Sequence, residues 1–155
     1  MIEGVTAREL KPIRDDRGEL CEILRSDDPE FERFGQVYYT VVKPGVVKAW
    51  HYHAKHTDHL VTIGPPAVIA LSDAREDSPT RGEVMEFTAG REAPMLIKVP
   101  PGVYHGFTAA GDQDAVILNV PTEVYDYDDP DEFRLDPFEN DIPFDWRAKG
   151  ATRGH

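Results

Sequence analysis

Between Gln36 and Val120 the chain is a succession of short runs rich in Val, Ile, Tyr and Thr, each closed by proline or glycine. Such side chains suit a pleated, half-buried surface, so the runs predict strands. They are Val37–Val42, Val46–His53, His59–Ile63, Ala67–Leu71, Val84–Thr88, Met95–Val99 and Ala115–Val120. The punctuation is Pro44-Gly45, Gly64-Pro65-Pro66, Ser78-Pro79-Thr80, Gly90 and Pro100-Pro101-Gly102. Short strands at this spacing predict an all-β sandwich or closed barrel. No repeat, low-complexity tract or Ser/Gly linker marks a boundary, so residues 1–155 are expected to form one domain. Its core spans about 36–120, after an N-terminal strand segment over 5–25 and before an acidic, aromatic tail over 121–155. Tyr125, Tyr127, Phe133, Phe138, Phe144 and Trp146 are expected to pack over the core as irregular structure. Asp27 or Asp28 ahead of Pro29 predicts a short peripheral helix over Asp27–Phe34.

Charge narrows the partners. With 29 acidic against 17 basic residues, the formal net charge is −12. Such a surface repels nucleic acid and anionic membranes, which are excluded as main partners. An anionic substrate needs a local basic cluster; the competing reading is simply an acidic, soluble surface. No run approaches the roughly 20 apolar residues of a membrane span. Met1-Ile2-Glu3-Gly4 lacks the blocks of a signal peptide, and the single cysteine, Cys21, cannot form an internal disulfide. A cytoplasmic location is expected, with Cys21 an inert small hydrophobe.

Four of the six histidines, His51, His53, His56 and His59, fall within one short stretch. On a strand, His51 and His53 share a face, while Trp50 and Tyr52 share the other. His105 follows the Pro100-Pro101-Gly102 turn and can reach the same cavity from another strand. Gly45, His51-x-His53 and Asp58 resemble the first motif of the cupin barrels, and Pro100-x-Gly102-x-x-His105 resembles the second. The resemblance implies a cupin-type double-stranded β-helix, a jelly-roll barrel. Two readings stay open. Either His51, His53, Asp58 and His105 hold one divalent transition metal, or His51 does acid–base work without a metal. His56 and His155 are expected at the surface.

Further residues narrow the likeness. Asp15-Asp16-Arg17-Gly18-Glu19-Leu20-Cys21-Glu22, Gln36, the Gly45–Tyr52 segment, the Asp73–Gly82 segment and Val99–Phe107 are similar, in order, to the dTDP-4-dehydrorhamnose 3,5-epimerases. That resemblance implies a cofactor-independent isomerase, a homodimer acting on a dTDP-linked 4-keto-6-deoxy sugar. A ketone acidifies its neighbouring carbons, and an imidazole that titrates near neutrality suits the abstraction. By position, the resemblance makes His51 the base and His59 the group facing the developing oxyanion. Arg17, Glu22, Gln36, Lys48, His53 and His105 become substrate-binding residues, some reaching a neighbouring subunit. The competing readings are an exposed Arg17–Glu22 ion pair, a structural Asp73–Arg75 turn, a core role for Trp50, and turn-forming roles for Pro101, Gly102 and Gly106.

Two departures stand out. Counting from Phe107, the family's acid tyrosine falls on Leu118, and residues 147–155 after Trp146 contain no acid to orient the base. Tyr38 or Tyr125 can substitute as donor, with Tyr125 preferred, and Asp58 or Asp141 can orient His51. Three functions remain open: a nucleotide-sugar epimerase or isomerase, a metal-dependent cupin enzyme, and a non-catalytic sugar-binding cupin.

Overall fold

All seven expected strands form, with ends moved by at most two residues. The computed structural model describes residues 1–154, and His155 lies outside them. In chain order the strands are β1 (Thr6–Glu9), β2 (Ile13–Asp15), β3 (Gly18–Leu20), β4 (Tyr38–Val42), β5 (Val46–Tyr52), β6 (Asp58–Thr62) and β7 (Ala67–Asp73). Then come β8 (Val84–Ala89), β9 (Met95–Val99), β10 (Val103–Ala109), β11 (Ala115–Asn119), β12 (Phe133–Arg134) and β13 (Arg153–Gly154). One sheet runs β1-β9-β6-β11-β4 and the other β12-β5-β10-β7-β8, with β13 alongside β5 and β2-β3 forming a separate hairpin. Apolar side chains from both sheets meet between them: Val42, Leu60, Ile97, Val99 and Ile117 face Ile69, Leu71, Val103 and Phe107. This interior closes one end of the jelly roll and leaves the other for polar groups.

The run that forms β10 was not among the seven, although His105 was placed on a further strand; it lies between β5 and β7. Almost every residue in it is buried, so it lacks the alternation that marks a one-sided strand. The expected helix over Asp27–Phe34 does not form; the segment is a series of turns. The Asp28 carboxylate, read as a cap, instead accepts the Arg25 backbone N–H and the Arg8 guanidinium. These bonds remove the cap that a helix start requires. The tail is more ordered than expected. Its β12 and β13 extend the sheet at β5, and Phe138, Phe144 and Trp146 pack on Trp50 and Val47.

One irregularity positions the site. The pairing of β5 with β10 shifts register between His51↔His105 and Lys48↔Phe107. Ala49 and Trp50 both turn outward to the tail, so Lys48 and His51 face inward together despite being three residues apart. Gly106 makes this bulge fit, because a Cβ there would lie 2.1 Å from the Ala49 Cβ. Gly106 is therefore not a turn former but a mid-strand residue fixed by close backbone approach. Gly106→Ala should cost about 1–3 kcal/mol by overpacking, read as a lowered urea midpoint. An unchanged midpoint would refute this account of the bulge.

Candidate active site

The open end of the barrel gathers residues that are far apart in sequence. His51 and His53 come from β5 and its end, Asp58 from the start of β6, His105 from β10, Tyr38 from the start of β4 and Asn119 from the end of β11. A polar cavity of about 290 Å³ is lined by Tyr38, Thr40, Lys48, His51, Phe107, Glu132 and Arg134, among others. His51 and His105 are paired residues, with ring centroids 4.2 Å apart. One nitrogen from each of His51, His53 and His105 lies within 4.8 Å of the others, and His53, His56 and Asp58 form a second such group. His56 is therefore part of the cluster and not a surface residue: its Nε2 lies 3.4 Å from Asp58 Oδ1 and its Nδ1 3.5 Å from Asp131 Oδ2.

Proton placement follows from the partners. A carbonyl only accepts, so His105 Nδ1, 3.2 Å from the Val103 oxygen, and His53 Nδ1, against the Asp131 oxygen, carry hydrogens. Their Nε2 atoms then face Asp58 Oδ2 from 3.4 Å and 3.5 Å. Two ring nitrogens thus converge on one buried carboxylate, a donor set that could hold a cation. Burial opposes ionisation of Asp58, but the His56 hydrogen bond, the His105 and His53 rings and the Asn119 amide outweigh it and hold the carboxyl below its usual range. Burial pushes His51 well below the ordinary 6.5, aided by the neighbouring His105 and His53 rings, so His51 is a neutral proton acceptor at pH 7.

The phenol that lines the cavity is Tyr38. Its hydroxyl receives the Asn119 amide at 3.0 Å, and burial together with the Asp58 charge raises its pKa to about 12, keeping it protonated. Tyr125, expected to rank ahead of Tyr38, does not line this cavity. It stacks edge-on against Tyr127 in a separate depression with Lys55, Asp126 and Asp129. Leu118 faces outward onto Leu10, Val61 and Leu96, so the inward position at the end of β11 belongs to Asn119.

Several sequence candidates lie elsewhere. His59 is turned away from the cavity, with Nδ1 2.9 Å from the Val120 oxygen and Nε2 2.8 Å from the Glu30 oxygen, which leaves neither nitrogen free for substrate. Arg17, at the exposed tip of the β2-β3 hairpin, pairs with Asp15, and Glu22 pairs with Arg25, so no Arg17–Glu22 pair exists. Gln36 accepts the Tyr125 backbone N–H. Asp141 is exposed on the tail, away from the Asp58 cluster. Lys48 stays in the cavity, its Nζ 2.6 Å from Thr40 Oγ1, and burial lowers its pKa. Buried Asp73 and half-buried Arg75 form a structural bridge at 2.8 Å. Sequence reasoning missed Asn119, Glu132, Arg134 and Asp131. Asp131 clamps the histidine turn by accepting the Ala54 and Lys55 backbone N–H groups. The run of acids around it was the only signal.

The two depressed imidazoles have a consequence for stability. As pH falls through about 6.5, the unfolded chain takes up protons at positions 51 and 105, while the folded chain resists them. Stability present above that value is therefore lost below it, by up to about 1.4 kcal/mol per pH unit per group. The melting temperature of chelator-treated protein should fall from about pH 7 to about pH 5, and His51→Asn should flatten the slope. A wild-type profile as flat as the variant's would contradict this.

An antiparallel jelly roll with a histidine cluster at one end is a cupin-type barrel, with the fold of the dTDP-4-dehydrorhamnose 3,5-epimerases. The chain belongs to the polysaccharide biosynthesis C-terminal domain family, whose model matches residues 13–133. It is 42% identical over 150 residues to the Probable low-salt glycan biosynthesis epimerase Agl13 of Haloferax volcanii, covering 96% of each chain. A dTDP sugar isomerase from Desulfovibrio desulfuricans shares 33% identity at a TM-score of 0.88, over 94% of this chain and 92% of that one. A dTDP-6-deoxy-D-glucose-3,5-epimerase from Legionella pneumophila, solved with dTDP-4-keto-L-rhamnose, has the same fold at 21% identity and a TM-score of 0.81, over 98% and 84%. Among the described residues no helix is long and apolar enough to cross a membrane.

Proposed function

We propose that the protein is an epimerase or isomerase of a nucleotide-linked 4-keto-6-deoxy sugar, with His51 as base and Tyr38 as acid. The observation that carries this reading is one cavity holding a neutral imidazole from one sheet and a protonated phenol from the other. The His51 ring takes the proton from a carbon beside the ketone, and the C–H electron pair passes into the enolate. The Tyr38 O–H delivers a proton to that carbon from the other side, re-forming C–H with inverted configuration. Water returns a proton to the tyrosinate and removes one from the imidazolium, so no redox cofactor enters the balance. Lys48 and Arg134 supply positive charge for the diphosphate or the enolate oxygen. One relative's name gives epimerisation and another's a dTDP sugar, which supports the reaction type and the nucleotide-linked class.

A homodimer completes the reading. Exposed Ile13 and Leu20 flank Arg17 on the hairpin, and Tyr39 and Val41 are exposed on the β4 edge, an apolar surface suited to a second copy. Arg17 then reaches the partner's cavity as a phosphate ligand. Sedimentation at the monomer mass would remove this element.

The meeting of the His53 and His105 Nε2 atoms with Asp58 favours a second reading, in which the cluster holds a divalent transition metal. His53, Asp58 and His105 are the ligand candidates, with His51 or His56 beside them. Such an ion would supply Lewis-acid stabilisation of a developing oxyanion. Elemental analysis separates the two: one transition metal per chain supports this second reading, and an active metal-free protein removes it.

The primary test is solvent deuterium. In D2O the protein should wash deuterium into a dTDP-4-keto-6-deoxy sugar next to the ketone. No exchange across dTDP- and UDP-linked 4-keto sugars would refute the proposed function.

A further inference from the structure

The Asn119 side chain makes three hydrogen bonds and uses both of its donors. Its oxygen accepts the His59 backbone N–H at 3.1 Å, and its nitrogen donates to Asp58 Oδ1 at 2.7 Å and to Tyr38 Oη at 3.0 Å. A backbone N–H needs the oxygen and a carboxylate needs the NH2, so the amide has a single workable orientation. A phenol oxygen that receives an N–H keeps its own hydrogen for another acceptor. Asn119 and Tyr38 are directly paired across β11 and β4, which fixes their separation through the backbone ladder. The bridge also stands between the phenol and Asp58, whose carboxylate would otherwise be the natural acceptor for the Tyr38 hydrogen.

We propose that Asn119 is a positioning residue that directs the Tyr38 hydroxyl hydrogen into the His51 cavity and away from Asp58. This deepens the assignment of Tyr38 as acid and rests on it. The chemistry separates into two observables. Abstraction by His51 exchanges the substrate hydrogen with solvent and needs no phenol. Inversion requires the proton that Tyr38 delivers from the other side. An isosteric Asn119→Asp exchange puts an acceptor where the donor was, so the phenol hydrogen turns toward residue 119 and out of the cavity.

The experiment measures deuterium wash-in and epimer formation separately, using dTDP-4-keto-6-deoxyglucose in D2O. Tyr38→Phe should keep wash-in and KM within about threefold of wild type while inversion falls about 100-fold. Asn119→Asp should reproduce this split, and the double variant should invert no more slowly than Tyr38→Phe alone. Retained wash-in doubles as a folding check, because it requires His51 in place. Three results would each overturn the inference: Asn119→Asp inverting at the wild-type rate, losing wash-in and inversion together, or slowing inversion further in the Tyr38→Phe background. A wild-type protein without any wash-in removes the proposed function, and this inference with it. Wild-type wash-in with no split in Asn119→Asp removes the inference alone.

Discussion

Replacing His51 with asparagine should lower turnover about 1,000-fold, near the middle of the range for a general base, and should leave KM within a few-fold of wild type. The size of the effect follows from what the cavity offers. Burial keeps the His51 ring neutral, and no other side chain lining the cavity is a neutral base at pH 7: Lys48 and Arg134 are cations, Glu132 is paired with Arg134, and Tyr38 is protonated. If His51 is the proposed base, loss of the imidazole should remove abstraction itself, and deuterium wash-in should fall with turnover. The contrast with Tyr38→Phe, where wash-in should persist, would separate base from acid in one assay. A His51→Asn protein that retains a tenth of wild-type turnover would transfer the role of base to another group.

Asp58→Ala should destabilise the fold by about 3 kcal/mol, in the range for breaking a buried charged contact, and lower the melting temperature by roughly 10 °C. The carboxylate is almost fully buried and meets the Asn119 amide, His56 and the Nε2 atoms of His53 and His105. This one carboxylate is the acceptor on which the Asn119 amide and the ring nitrogens converge. Removing it leaves an unpaired amide and unpartnered ring nitrogens in a buried site. Asp58→Asn should recover part of the loss, because its NH2 can donate to the ring nitrogens that the carboxylate cannot satisfy. Calorimetry of the two variants decides the matter. An alanine variant within about 1 kcal/mol of wild type would mean that the cluster is held by its surroundings and not by Asp58.

Much of the architecture was written locally. The β-branched runs and their Pro/Gly boundaries predicted strands now seen as β4 to β9 and β11, because strand propensity and turn chemistry act over a few residues. The His51-x-His53 spacing placed both rings on one face for the same reason, the period of two along a strand. Where these rules met competition they failed. Asp28 carried a cap signal, but Arg8 and Arg25 claimed its carboxylate. Counting forward from Phe107 reached Leu118, one residue short of the inward position, and on a strand one residue is the difference between the cavity and the outer face.

By itself, then, the sequence determined an all-β barrel, two imidazoles on one face of a strand, and the resemblance to a sugar-epimerase family. Only the tertiary structure decided which tyrosine faces His51, that His59 is turned outward and His56 inward, and that Asn119 joins Tyr38 to Asp58. The physical reason is range. Side-chain alternation and turns are fixed by neighbours in the chain. The partners of a buried polar atom are fixed by strand register and a β-bulge, which join residues 61 to 81 positions apart in this site.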